Sequence, residues 1–224
     1  MLKRRKVIDA MVLGADRSGS TWLRKLCIKN QDIYVCPVWQ QEFLPKSEIT
    51  KRRIFSRIKF NCPMDQYQGE KIILGVRNMA IYHGDKVAKI YFSHNKNMKF
   101  LLSVRNPLER AFSLYVSGVN KRNAKDGICS TFDINKSISI EEPFVQKLML
   151  YSLLKPYLEL FSKERFFIYP MELMKQDTKY WLNKAFNFLD VQEDIPLNDG
   201  QKLANPGKYE SATFIPISPE SKQY

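Results

Sequence analysis

Along this chain, apolar residues fall into two patterns. Short, mostly apolar runs occur at Val7–Leu13, in "EKIILGVRN", in "KFLLSV" and in "RFFIYP". Runs of this length with no polar alternation predict strands buried on both faces, as in a parallel sheet. Between them, apolar residues recur every three or four positions, which predicts amphipathic helices. In "STWLRKLCIKN" the inward face is Trp22, Leu23, Leu26 and Cys27, and in "LERAFSLYVSGV" it is Leu108, Ala111, Phe112 and Tyr115. A basic helix over 47–60 turns Ile49, Ile54, Phe55 and Ile58 inward. "AIYHGDKVAKIYFSH" reads as a loop and short helix, "PFVQKLMLYSLLKPYLELF" as a long helix kinked at Pro156, and "TKYWLNKAFNFLDV" as a helix after "MELM". Residues 31–45 hold a short strand with turns, and 120–142 form a polar surface excursion. Strands alternating with helices predict an α/β fold with a central parallel sheet flanked by helices. No internal repeat or linker divides the chain, so residues 1–224 are expected to form a single domain. A basic tip at 1–6 precedes it, and 192–224 is a loop-rich segment carrying Pro196, Pro206, Pro216 and Pro219.

The 224 residues are 44% hydrophobic and 12% aromatic, enough for a packed core. No apolar run approaches the roughly 18 residues of a membrane span, and Asp9 and Asp16 interrupt the N-terminal stretch too early for a secretory signal. Cys27, Cys36, Cys62 and Cys129 form no C-x-x-C pair, and only His83 and His94 could supplement them. A structural zinc site is therefore not expected, and free thiols point to a reducing, cytoplasmic setting. The formal net charge of +13 calls for an acidic partner, concentrated in "KRRK", residues 46–59 and residues 89–99. Each patch read alone is equally well a solvated surface.

The chemistry is concentrated in "VLGADRSGSTWLRKL". Gly14, four residues, Gly19 and then hydroxyl residues make a phosphate-binding frame between a strand and a helix. The lysine that a nucleoside triphosphatase places after the second glycine is replaced by Ser20, and the only cation within the loop is Arg17. The strand "KFLLSV" ends in Arg105, where such an enzyme needs an acidic residue to hold magnesium. A cation there predicts a second phosphate gripped directly by protein. Ser113, eight residues on, sits two helical turns away on the side that meets the same phosphate, with Asn106 capping and Pro107 in the first turn.

Together, "RSGSTWL" and "SVRNPLERAFSLY" resemble the sulfotransferases that use 3′-phosphoadenosine-5′-phosphosulfate, whose loops read roughly [KR]-S-G-[TS]-T-[WL]-L and R-[ND]-P followed by a serine eight residues past the arginine. "FFIYPMELM…AFNFLDV" adds a weaker likeness to a later strand and helix, so the resemblance runs from Val7 to Val191. It implies a P-loop-NTPase-like fold and transfer of a sulfuryl group to a hydroxyl or amine, leaving adenosine 3′,5′-bisphosphate and requiring no metal. By the same resemblance Arg17 contacts the transferring group, and Ser18, Gly19, Ser20, Thr21 and Trp22 complete the 5′ cradle, with Trp22 also against the adenine. Arg105 and Ser113 bind the 3′-phosphate, Tyr151 matches a tyrosine near the adenosine, and Lys208 and Tyr209 in "NPGKYES" match a closing loop of the heparan-type branch. The K-x-H stretch of the cytosolic small-molecule branch is absent: Arg77 stands at its lysine, with His83 later. Glu42 in "VWQQEFLPK" matches the base of the heparan and tyrosylprotein branches and is preferred to His83, with Arg77 and His83 on the acceptor side. The acceptor is expected to be a glycan or other polyanion. The competing readings are a magnesium-dependent P-loop kinase and a basic nucleic-acid-binding protein; the latter lacks any helix-turn-helix, RNA-recognition or zinc-finger signature. His94, in a lysine-rich stretch expected to be exposed, receives no role.

Overall fold

The computed structural model describes residues 7–36, 66–114 and 146–192. The 47–60 helix, the 120–142 excursion, Cys62, Cys129, the basic tip and the proline-rich tail lie outside them.

Five strands make one sheet: β1 (Ala10–Val12), β2 (Ile33–Val35), β3 (Ile72–Val76), β4 (Lys99–Val104) and β5 (Phe166–Pro170). Their order is β2-β3-β1-β4-β5, and every pairing is parallel. The 31–45 strand is thus only three residues long. β1 is central and fully buried, with Ala10 opposite Leu74 on one side and Lys99 on the other. A Cβ at Gly75 would lie 2.6 Å from Met11 Cε, so the thioether end of Met11 fills the space that the glycine leaves beside β1.

The two faces of the sheet carry separate cores. On one, Ala10, Val12 and Leu101 meet α1 (Ser20–Cys27) and a C-terminal helix, Thr178–Leu189, through Trp22, Leu23, Leu26, Leu182 and Phe186. On the other, Met11, Phe100 and Leu102 meet α2 (Gly84–His94) and the helix Leu150–Leu158 through Val87, Tyr91, Leu154 and Tyr157. The predicted layers are all present, and the α1 face is the one its periodicity specified.

Three expectations change. Helix α3, described over 107–114, leaves Leu108 70% and Phe112 37% exposed, while Arg110 and Ser113 are each only 3% exposed. It packs through a polar edge. The long helix is not continuous: α4 is Leu150–Leu158, running through Pro156, and residues 147–149 are turn and coil, where the Lys147 carbonyl accepts from Arg110. His94 is half-buried, its Nε2 accepting the Ile8 N–H at 2.9 Å, so it secures the approach to β1. Two helices, α5 (Met171–Gln176) and α6 (Thr178–Leu189), follow β5. Asp177 caps α6 by accepting the Tyr180 N–H.

Candidate functional site

β1 and β4 are neighbours, and the chain leaves β1 to build one half of the sheet before returning beside it at β4. Open parallel sheets bind ligands outside the carboxyl ends of strands at such a switch point. The loop after β1 and Arg105 after β4 both lie there.

The first loop is shaped by two left-handed residues, Arg17 at φ 62° and Gly19 at φ 83°. Glycine adopts this region freely; arginine does so at a cost of order 1 kcal/mol. A Cβ on Gly19 would also stand 3.2 Å from Met171 Cε of α5. The Gly19 carbonyl accepts the Trp22 and Leu23 N–H groups and starts α1. No side chain among the described residues caps that helix, leaving its first amides and positive dipole end available to an anion. The Ser18 hydroxyl is fully buried with no hydrogen-bond partner among the described residues. Both observations fit a phosphate-type ligand.

The second segment closes on the first. Arg105, with its side chain 13% exposed, donates from Nη1 to the Arg17 carbonyl at 3.1 Å and pairs with Glu109 at 3.2 Å. Arg17 Nε in turn donates to Ser113 Oγ at 2.9 Å. Asn106 caps α3 by accepting from the Leu108 and Glu109 N–H groups, as expected, and its own N–H reaches Glu172 of α5. Arg17, Arg105 and Ser113 therefore stand in one cluster, with Ser18 and Gly19 in the same loop.

Other site residues are placed differently. Arg77, at the end of β3, is buried, and its N–H continues the strand by bonding the Val12 carbonyl. Its guanidinium is held below the usual arginine range by desolvation. His83 closes the 3₁₀ turn 78–83 and is exposed; desolvation, then the Arg77 charge, lower its pKa and favour the neutral ring. Tyr151 lies on the outer side of α4, 73% exposed, and no described hydrogen bond joins it to either loop. Glu42, Lys208 and Tyr209 lie outside the described residues.

Comparison with known proteins supplies the family. The sequence matches the family described as Sulfotransferase domain over residues 8–203. The chain belongs to the sulfotransferase family. No curated protein sequence matches it. Among solved structures, it is similar to a sulfotransferase from Alicyclobacillus acidocaldarius, with TM-score 0.69 and 18% identity over 98% of this chain and 90% of that one. A sulfotransferase domain from the curacin biosynthetic pathway gives TM-score 0.52 and 13% identity over 88% and 77% of the two chains. A sulfotransferase from Mycobacterium avium gives 0.50 and 11% over 85% and 66%. At these identities the likeness is one of fold. Family membership makes this chain a transferase and selects sulfuryl transfer over the kinase and nucleic-acid readings.

Residues the sequence did not single out stand against the first loop. Arg110 donates to the Asp16 carbonyl at 3.1 Å, to Tyr82 Oη at 2.7 Å and to the Lys147 carbonyl at 2.8 Å. Tyr82 Oη also accepts the Asp16 N–H at 3.1 Å. Arg110 stands three residues before Ser113, hence on the same helical face, and that spacing was the available signal. Cys27 is a buried free thiol, and desolvation pushes it up to about 12. Among the described residues no group of three or more His, Cys, Asp or Glu side chains could hold a metal, and no helix is long and apolar enough to cross a membrane.

Proposed function

We propose that this sulfotransferase moves a sulfuryl group from 3′-phosphoadenosine-5′-phosphosulfate to a hydroxyl or amine acceptor. The observation that carries the reading is the contact between the two loops: Arg17 Nε on Ser113 Oγ at 2.9 Å, with Arg105 on the Arg17 carbonyl. When bound, the donor supplies an activated sulfur whose leaving group is adenosine 3′,5′-bisphosphate. Arg17 stabilises charge at the 5′ end; its guanidinium stays charged and forks across two oxygens, so its role is electrostatic rather than proton donation. Ser18, Gly19, Ser20, Thr21 and Trp22 form the 5′ cradle, and the orphan Ser18 hydroxyl is a donor ready for it. Arg105 and Ser113 hold the 3′-phosphate, with Glu109 released from Arg105 or shared by it. Tyr151, Lys208 and Tyr209 complete the adenosine side in this reading.

Glu42 takes the acceptor's proton, and Arg77 and His83 stand on the acceptor side. The lowered pKa of His83 favours its neutral ring, and His83 is the second choice as base after Glu42. Arg17 in place of lysine, and Glu42, put the chain nearer the heparan-sulfate and tyrosylprotein branches. The net charge of +13 favours an acidic glycan or other polyanion as acceptor. We read the chain as one domain working in the cytoplasm without metal; the buried free thiol of Cys27 favours a reducing compartment.

Thermal shift tests the donor site. Adenosine 3′,5′-bisphosphate without metal should raise the unfolding midpoint, by about 2.7 kcal/mol of stabilisation at 100 times its Kd. Arg105→Ala should shrink the shift to the size that adenosine 5′-monophosphate gives. A response to ATP with magnesium and none to the bisphosphate overturns the proposal.

A further inference from the structure

The geometry points to Arg110 and Tyr82 as positioning residues that hold Arg17 in its working conformation. The inference rests on the donor-site reading above but concerns residues that reading does not use.

Arg17 sits in the left-handed region, φ 62°, which an arginine leaves unless its neighbours are fixed. Its neighbours are fixed from both directions. Ahead of it, the Asp16 residue is held at both polar backbone atoms: its N–H donates to Tyr82 Oη at 3.1 Å and its carbonyl accepts from Arg110 Nε at 3.1 Å. Arg110 Nη2 then joins the two holders by donating to Tyr82 Oη at 2.7 Å. The same nitrogen reaches the Lys147 carbonyl at 2.8 Å, anchoring the assembly on the approach to α4. Behind, the Arg17 carbonyl and side chain are taken by Arg105 and Ser113.

The clamp is buried and directional. Arg110 is 3% exposed, and its rigid fork is what serves three acceptors at fixed angles. Lysine, with a single rotatable ammonium, cannot reproduce that pattern. Tyr82 accepts two N–H groups on one oxygen; phenylalanine would keep the ring and strand both donors. Tyr82 also belongs to the turn 78–83 that ends at His83, so the clamp ties the turn after β3 to the loop after β1. Arg105, Arg110 and Ser113 place three of the contacts that set Arg17 on one short segment, and Tyr82 supplies the fourth.

The test compares wild type with Tyr82→Phe, Arg110→Lys and, as a control for simple loss of stability, Ile33→Val at the distant β2. Three readouts are taken below all unfolding midpoints: the dissociation constant for adenosine 3′,5′-bisphosphate, the rate of sulfate release from the donor, and amide hydrogen exchange over residues 12–23. In the sulfate-release assay water takes the acceptor's place. Its oxygen bonds to sulfur as the bridging S–O bond breaks, giving sulfate, the bisphosphate and two protons. Both clamp variants should release sulfate about 10- to 100-fold more slowly, the effect of misplacing a reacting group by about 1 Å. Bisphosphate affinity should stay within about threefold, and exchange at the loop amides should quicken. Ile33→Val should leave all three unchanged. Wild-type rates and wild-type loop exchange in Tyr82→Phe overturn the inference, as does an equal slowing in Ile33→Val. A wild-type protein that neither binds the bisphosphate nor releases sulfate overturns the donor-site reading, and this one with it.

Discussion

Helices α1 and α3 both begin at the carboxyl end of a central strand, yet they are held by opposite means. α1 buries Trp22, Leu23, Leu26 and Cys27 against the sheet, and its polar start faces the switch point. α3 turns Leu108 and Phe112 outward and buries Arg110 and Ser113 against the neighbouring loop. Apolar burial is non-directional and fixes a helix on a face, whereas a buried guanidinium with three oriented acceptors fixes atoms. The difference teaches that α1 carries the fold here and α3 sets the geometry of the site.

The largest effect should come from the apolar side. Leu23→Ala, at a fully buried position of α1, should cost about 2–5 kcal/mol in chemical denaturation. A loss under about 1 kcal/mol would mean α1 is not anchored as described.

The alkaline limit probes the polar side. Burial is the leading cause that raises the phenols of Tyr82, Tyr91, Tyr157 and Tyr169 above their ordinary 10.0. Ionisation then favours the unfolded chain, so their contribution is complete below about pH 10 and is lost as pH rises through the folded values. Phenolate absorbance from the buried rings should therefore appear together with loss of circular dichroism. Full ionisation in a still-folded protein would contradict their burial. At the acid end, the lowered carboxyl of Asp32, held first by the Gln192 N–H and then by Lys71, makes stability fall as pH drops below 3.8.

The smallest effect should be at the outward face of α3. Leu108→Ser should change stability by no more than about 0.5 kcal/mol, since the side chain is already 70% exposed. A core-sized loss would restore the amphipathic reading of α3.

These contrasts mirror what the sequence could convey. Mostly apolar runs such as "KFLLSV" reveal buried strands because burial on both faces leaves little room for polar residues. The face of α1 was legible because its apolar period and its packing coincide. The face of α3 was not, because its apolar residues are on the surface and its packing is polar. Periodicity cannot report that a guanidinium will be satisfied by backbone carbonyls from Asp16 and Lys147, 94 and 37 residues away in sequence. His94 was unreadable for the same reason: its partner is a backbone N–H of Ile8. At the candidate site, Arg17, Arg105 and Ser113, which the structure brings together, could be singled out because each follows a recognisable strand end. Tyr82 was missed because nothing nearby marks a tyrosine that bonds a distant main chain.

The central claim is that the β1 loop and the β4 strand end grip opposite ends of one adenosine ligand. Calorimetric titration with adenosine 3′,5′-bisphosphate and with adenosine 5′-monophosphate, on wild type and Arg105→Ala, tests it most directly. The wild type should prefer the bisphosphate by at least about tenfold, or 1.4 kcal/mol, and Arg105→Ala should bind the two alike while keeping its grip on the monophosphate. Undiminished preference for the bisphosphate in Arg105→Ala, or no preference in the wild type, would contradict the account.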